Sequence, residues 1–191
     1  MPRPTSDKRE RLTTAAFELT RESGVAGWTL AHAAERAEVA AGSVYYHFKS
    51  KDALVRAVLD ALGARLDTRL AQCAAADGPK ARLIAFVDSY DADLEEALRH
   101  GPVLGSLGPD LARPSAGLAE EVAALYERVL RWLQDQFEAL GYSEGAARGR
   151  ALHLFTGLEG AAKLSHLLGA AEALDLEVAH LRRWVERAQP A

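Results

Sequence analysis

The sequence contains a single cysteine, Cys73, among its 191 residues. An internal disulfide is therefore excluded, and a lone thiol suits a reducing compartment, so we expect a cytoplasmic protein. No apolar run approaches the roughly 18 residues that a membrane-spanning helix requires, so we expect no membrane partner. The charged N-terminal stretch is not followed by an apolar segment, so we also expect no secretory signal. We interpret Cys73 as a small residue near a helix end rather than as a redox switch.

The sequence signatures of catalysis and of metal binding are also lacking. The six histidines show neither an H-E-x-x-H motif nor a Cys/His spacing that is typical of a metal site. No G-x-S-x-G motif, P-loop or G-x-G-x-x-G motif is present. We therefore expect no enzymatic activity, no metal site and no cofactor.

Patterns that are typical of β-strands are absent, whereas helical periodicity runs through most of the sequence. These features predict an all-α fold of about nine helices, in which an N-terminal three-helix bundle precedes a larger helical domain. Residues 101–117 contain three prolines and four glycines, so we expect a loop there with at most a short helix. The other predicted helices cover about 6–22, 30–37, 40–47, 51–75, 79–100, 115–140, 144–168 and 172–188.

Charge is unevenly distributed between the N-terminal quarter and the rest of the sequence. Residues 1–51 hold eight Lys or Arg and six Asp or Glu, although the whole chain carries a net charge of −4. A mildly basic segment attached to an acidic one is compatible with a DNA-binding module joined to a second domain.

The stretch GSVYYHF at residues 42–48 is rich in aromatic residues, although the chain has only 7% of them. On a helix, Val44 and Phe48 share one face and can pack on the preceding helices. The opposite face carries hydroxyl and imidazole groups, which are good donors to phosphate oxygens. Spacing alone leaves a second interpretation open, a core aromatic cluster with internally satisfied hydroxyls. The residues on or beside the polar face are Gly42, Ser43, Tyr45, Tyr46 and His47.

The longer segment AEVAAGSVYYHFKSKDALV resembles the DNA-binding head of the TetR (tetracycline-repressor-like) transcription regulators, and the similarity extends from Lys8 to about Leu59. The resemblance implies a homodimer. Each subunit would have a helix-turn-helix DNA-binding domain at 1–50 and a helical ligand-binding and dimerisation domain at 51–191. It implies an operator in double-stranded DNA and a small-molecule effector of unknown identity as partners. The implied phosphate contacts are Thr29, Tyr45, Tyr46, His47 and Lys51, and the implied base-facing residues are Ala41, Gly42 and Ser43.

Two residues depart from the family pattern. Glu38 replaces the small residue or glycine that usually precedes Val39, and Ala40 replaces a serine. The third helix therefore lacks a good side-chain cap, a loss of roughly 1 kcal/mol. Ala41 offers only a methyl group to a base, so we expect few direct contacts to the bases of the operator.

The last two helices are expected to form the dimer interface, as the family implies. Locally, the helix at about 144–168 carries two apolar stripes, which suits a helix packed both on its own core and on a partner. Gly157 and Gly160 would let the partner backbone approach closely. The alternative is a fully buried helix of a monomer. The stripes comprise Leu154, Leu158, Ala161, Ser165 and Leu168, and Leu152, Phe155, Glu159 and Ala162.

The candidate effector site combines aromatic and apolar residues with a single acid, Glu159. Glu159 is expected either to bind a cation or polar ligand group or to pair with an arginine. The candidate lining residues are Phe86, Tyr90, Leu104, Leu107, Tyr126, Trp132, Phe155 and Glu159.

These patterns together predict a dimeric transcription repressor that a small molecule releases from a pseudo-palindromic operator. The alternative is a helical ligand-binding or scaffolding dimer whose head has weak or lost operator affinity, and Ala40 and Ala41 keep that alternative open.

Overall fold

The computed structural model describes residues 5–113 and 116–189, and these ranges contain helices and no β-strand. The all-α prediction is confirmed. In chain order the elements are α1 (Thr5–Ser23), a 3-10 turn (Val25–Gly27), α2 (Leu30–Arg36), α3 (Ala41–His47), α4 (Lys51–Ala74), α5 (Pro79–Ala92), α6 (Leu94–His100), α7 (Val103–Ala112), α8 (Ala116–Ala139), α9 (Glu144–Leu168) and α10 (Glu172–Glu186).

Two predicted boundaries are wrong. The helix expected over 79–100 is interrupted at Asp93, whose carboxylate pairs with Arg69 and whose backbone leaves the helical region. The segment expected to be a loop contains the ten-residue helix α7, with Pro109 inside it. Its leucines at positions 104, 107 and 111 are buried, so apolar periodicity outweighs the Gly and Pro signals there.

The helix caps follow the local chemistry of the sequence. The Thr29 hydroxyl accepts a hydrogen bond from the His32 amide at 3.2 Å, which caps α2 as expected. Ser50 caps α4 in the same way through the Ala53 amide at 3.1 Å. Ala40 precedes α3 without a side-chain cap, which confirms the predicted absence of a cap at this helix start.

The chain divides into two compact units, of which the first comprises the described residues up to Ala64 and those from Leu107 to Val122. Contacts of α2 with α1 and α3 build its helix-turn-helix part. Trp28 is only 1% exposed, and its indole N–H donates to the Thr20 hydroxyl at 3.0 Å. Thr20 in turn donates to the Ala16 carbonyl at 2.7 Å, so these buried polar groups are satisfied.

The second unit comprises residues Arg65–Ser106 and the described residues from Ala123 onward, and α10 packs on both α5 and α9 within it. Gly157 faces α10 of its own chain, because a Cβ there would collide with the Glu177 carboxylate and lie 3.4 Å from Leu181. The prediction that Gly157 admits a partner's backbone is therefore wrong. At Gly160 a Cβ would meet nothing within 4 Å.

Within the described residues, no helix combines the length and the apolar character that crossing a lipid bilayer requires.

Candidate nucleic-acid interface and buried acidic cluster

Helix α3 is anchored by two apolar side chains that lie four residues apart. Val44 is 1% exposed and Phe48, just beyond the helix end, is 2% exposed. Their burial in the first unit fixes the rotation of α3 about its axis, as the sequence pattern predicts.

The opposite face of α3 is open. Tyr45 is 57% exposed and Tyr46 is 73% exposed, so the interpretation of these two residues as a buried aromatic cluster is wrong. The His47 ring lies edge-on to Tyr46, with 5.2 Å between the ring centroids. Ala41 and Gly42 are exposed, and Ser43 and His47 are half-buried. The predicted contact residues of α3 are therefore exposed or half-buried, and four of them carry a hydroxyl or an imidazole group.

Arg9 of α1 supports the end of α3, a role that the sequence pattern did not reveal. Its guanidinium donates to the His47 carbonyl at 3.2 Å and lies 4.4 Å from the centroid of the Phe48 ring. A cation at a helix C-terminus is favourable because the terminal carbonyls carry partial negative charge. The two partners are 38 residues apart in the sequence, so no local spacing could have indicated the contact.

The turn between α2 and α3 passes through Glu38, whose φ is 52°. This left-handed conformation is unfavourable for a residue with a Cβ, which explains why a glycine suits the position. Arg11 donates to both the carbonyl and the carboxylate of Glu38 at 3.4 Å. An ion pair thus spans the turn where the family pattern would place a small residue.

The ammonium group of Lys51, expected to contact a DNA phosphate, binds groups of its own chain instead. Its ammonium donates to the carbonyls of Val25 and Trp28 and lies 4.6 Å from the centroid of the Trp28 ring. Burial lowers the pKa of this amine. Lys51 therefore ties the start of α4 to the 3-10 turn, and this geometry does not support the predicted phosphate contact.

A second group of predicted residues surrounds Glu159 in the second unit. The Tyr90 hydroxyl donates to Glu159 Oε1 at 2.7 Å, and the Tyr126 hydroxyl donates to the Leu104 carbonyl at 2.8 Å. Burial raises the pKa of the Glu159 carboxyl. Burial, with the nearby Glu159 charge, also raises the pKa of Tyr126 to about 12. Polar groups of four predicted residues thus converge in a poorly hydrated region.

Aromatic rings extend this cluster on two sides. The centroid of the Phe86 ring lies 5.9 Å from that of Tyr90 and 5.9 Å from that of Trp132, and the Tyr126 and Phe155 centroids are 6.1 Å apart. Seven of the eight candidate lining residues therefore belong to the second unit. The exception is Leu107, which is fully buried within the first unit, so the structure does not support its expected role beside Glu159.

Two further residues complete the surroundings of Glu159. Arg69 forms an ion pair with Asp93 and lies 5.6 Å from the centroid of the Tyr90 ring. A Cβ added to Gly105 would lie 2.5 Å from Glu159 Oε2, so a larger residue would require the carboxyl group to shift. These contacts join helices that are far apart in sequence, and no motif could have indicated them.

The fold and the site define an all-helical protein with an N-terminal helix-turn-helix. The family profile described as bacterial regulatory proteins of the tetR family matches residues 12–58. The match covers the helix-turn-helix part of the chain and assigns that part to the TetR family of bacterial regulatory proteins.

Curated relatives are similar over part of their length. The chain is 28% identical to the HTH-type transcriptional repressor NemR of Escherichia coli over 127 residues, which cover 65% of this chain and 62% of NemR. It is 36% identical to an HTH-type transcriptional repressor of Mycobacterium tuberculosis over 115 residues, which cover 55% of this chain and 59% of that protein. The matched region thus spans about three fifths of each relative.

A solved structure matches the fold over nearly the whole chain. The crystal structure of a TetR-family transcriptional regulator from Agrobacterium tumefaciens superposes with a TM-score of 0.82 at 20% identity, covering 96% of this chain and 98% of that one. At this level of identity the likeness concerns the fold.

Proposed function

We propose that the protein is a transcription repressor that binds a pseudo-palindromic DNA operator as a homodimer in the cytoplasm and leaves it when a small molecule binds. The observation that carries the proposal is the exposed tyrosine pair on α3, within the segment that matches the family. Two exposed tyrosines beside a half-buried histidine, on a helix of a helix-turn-helix, are well suited to phosphate and base contacts in a major groove. The names of the curated relatives agree with repression.

Residues 1–50 are the DNA-binding domain in this proposal, and residues 51–191 bind the effector and the second subunit. Thr29 and the residues of α3 contact DNA. The Thr29 hydroxyl already accepts from the His32 amide, but its O–H remains able to donate to a phosphate. The proposed DNA contacts are Thr29, Ala41, Gly42, Ser43, Tyr45, Tyr46 and His47.

Helix α9 supplies the main dimer surface. Both apolar stripes predicted for this helix are mostly buried within the chain itself, so the prediction that one of them faces a partner is wrong. A different face is open: Leu164 and Leu167 are 48% and 68% exposed, and the face they share continues to Gly160, where a Cβ would meet no atom within 4 Å. On α10, Leu176 is 65% exposed. Exposed leucines beside an open glycine on the last two helices suit the close packing of a second copy.

Effector release requires a difference in affinity between two states. A ligand in the cluster around Glu159 removes the repressor from DNA only if it binds the DNA-free arrangement more tightly than the DNA-bound one. The cluster provides the aromatic and apolar walls and the few polar groups that small-molecule sites share.

The first experiment is a titration of the full chain with DNA from upstream of its own gene at several salt concentrations. The logarithm of the association constant should fall steeply with the logarithm of the salt concentration, by roughly 0.9 for each phosphate neutralised. A flat response would rule out the proposed DNA interface.

Variants of α3 test the assigned contacts. Tyr46→Ala and His47→Ala should weaken binding to all DNA sequences similarly, each by roughly tenfold, since a hydrogen bond to a charged group contributes about 1.5–3 kcal/mol. Tyr46→Phe keeps the ring and removes only the hydroxyl, so it separates hydrogen bonding from packing. Full affinity in the alanine variants would refute the assignment.

A second candidate function is a helical ligand-binding dimer whose head has lost operator affinity. The uncapped start of α3 at Ala40 favours it, because an unstable recognition helix would hold DNA poorly. Ligand binding without DNA binding at low salt would favour this candidate over the repressor.

A further inference from the structure

One oxygen of Glu159 is buried without a hydrogen-bond partner in the part of the chain that the structure describes. Tyr90 occupies Oε1, whereas Oε2 is shielded from solvent and unbonded. The Gly105 amide faces the carboxyl group and favours its charged form, but its geometry falls short of a hydrogen bond to Oε2. Buried polar atoms are nearly always paired, so an unpaired carboxylate oxygen points to a missing partner.

The charge on Glu159 also lacks a counter-ion in direct contact. Arg69, the cation whose charge acts on Glu159, is engaged by Asp93, and as a pair the two are close to neutral. The Arg69 charge favours ionisation of Glu159 only weakly, and burial outweighs it, so the pKa of the carboxyl is raised. A buried carboxylate in this situation is costly until a positive group reaches it.

The walls around the carboxyl group suit an organic cation better than a metal ion. Phe86, Tyr90 and Trp132 form one run of rings, and Tyr126 and Phe155 form another. Ring faces attract ammonium groups and accommodate apolar bodies. Among the described residues, no group of three or more His, Cys, Asp or Glu side chains is placed to hold a metal ion.

We propose, building on the repressor function above, that the effector is an organic cation: a protonated amine on an apolar or aromatic body, whose ammonium group binds Oε2 of Glu159. The ammonium supplies both the missing hydrogen bond and the missing counter-charge, and the aromatic rings enclose the body. Anions are rejected by the carboxylate, and neutral alcohols gain only the hydrogen bond.

Binding of such a cation is linked to the protonation of Glu159. The groups that face this carboxyl group are the hydroxyls of Tyr90 and Tyr126, the Gly105 amide and the Arg69–Asp93 pair. Both tyrosines stay neutral near pH 7, because burial raises the pKa of each. Affinity for the amine therefore rises with pH as Glu159 loses its proton, because only the carboxylate attracts the ammonium.

The test uses the full chain and a series of phenylalkylamines, with one to six methylene groups, beside phenylalkanols of the same lengths. Isothermal titration at neutral pH should find at least one amine that binds roughly tenfold more tightly than its alcohol, as expected for a hydrogen bond to a charged group. If no amine in the series exceeds its alcohol, the proposal is overturned.

Glu159→Gln keeps the shape of the side chain and removes its charge. The preferred amine should lose roughly tenfold in affinity, whereas the alcohol should change by less than about threefold. Glu144→Gln makes the same charge change at an exposed position of the same helix and should leave both affinities unchanged. Equal amine affinity in Glu159→Gln and in the unmodified protein would exclude Glu159 as the cation partner.

The pH dependence provides a readout that a purely structural role would not change. From about pH 4.5 to about pH 8, amine affinity should rise in the unmodified protein and stay level in Glu159→Gln. A level profile in both would contradict the proposal.

DNA binding in the presence of the amine separates the two proposals. An amine that binds through Glu159 but leaves DNA affinity unchanged supports the cation site and refutes ligand release. A compound that releases DNA equally from Glu159→Gln and from the unmodified protein supports release and refutes the cation site.

Discussion

At the scale of single residues, Glu38 and Glu159 each occupy a position that is unfavourable for their chemistry. Glu38 holds a left-handed backbone, and among the described residues it is the only non-glycine with a positive φ. Glu159 holds a buried carboxyl group with one unbonded oxygen. The first situation concerns the backbone and the second the charge, so they respond to different substitutions.

Replacement of Glu38 by glycine relieves the backbone strain. Glu38→Gly and Glu38→Ala both remove the ion pair with Arg11, so their difference isolates the backbone. We expect the glycine variant to be more stable by about 1 kcal/mol, because a left-handed conformation costs a residue with a Cβ about that much. Urea unfolding measures the difference, and an alanine variant of equal or greater stability would contradict the strain.

Neutralisation of Glu159 changes how stability depends on pH. Burial raises the pKa of the Glu159 carboxyl in the folded protein. The folded state therefore binds the proton of this group more tightly than the unfolded state does. The protonated carboxyl makes its full favourable contribution to stability below the pKa of the unfolded state, about 4.3. This contribution is lost as the pH rises through the pKa of the folded state. In the absence of ligand, Glu159→Gln should therefore gain stability relative to the unmodified protein between acidic and neutral pH. Thermal unfolding across this range measures the gain, and parallel curves for the two proteins would show that the carboxyl is not perturbed.

At the scale of elements, the short helix α3 depends on its neighbours. It has seven residues and no side-chain cap, so packing of Val44 and contacts from α2 maintain it. Helices this short are unstable in isolation.

A cap at the start of α3 should strengthen it. Ala40→Ser places a hydroxyl where it can accept from the free amides of the first turn, and we expect a gain of about 1 kcal/mol. Ala41→Ser adds the same group one position later, where it cannot cap, and serves as the control. Hydrogen exchange of the α3 amides measures the effect. Slower exchange in the Ala41→Ser variant than in the Ala40→Ser variant would show that capping does not limit this helix.

The elements also show what the sequence could and could not predict. Caps at Thr29 and Ser50 and the buried face of α3 depend on neighbouring residues, so local patterns predicted them. The break at Asp93 depends on Arg69, and the contact of Tyr90 with Glu159 spans 69 residues. The ammonium group of Lys51 donates hydrogen bonds to carbonyls that lie 23 and 26 residues away in the sequence. Such long-range pairs follow from tertiary packing, which a local pattern does not contain.

At the scale of the whole molecule, the proposed dimer would be held together by the exposed face of α9. Leu164→Glu and Leu167→Glu place a charge in the proposed interface, where desolvation would be costly. Each should shift the protein towards monomers, and sedimentation velocity should show a corresponding loss of the dimer at micromolar concentration. Gln72→Glu adds the same charge at an exposed position of α4 and should leave the dimer intact. Dimers of undiminished stability in both leucine variants would place the interface elsewhere.

The buried indole of Trp28 makes the first unit observable by fluorescence. The chain has three tryptophans, and the other two, Trp132 and Trp184, belong to the second unit. Replacing those two by phenylalanine would leave a single tryptophan, which is buried and hydrogen-bonded to Thr20. Its emission should shift to longer wavelength when the helix-turn-helix opens, so the unfolding of this part could be followed optically and separately from the rest of the chain.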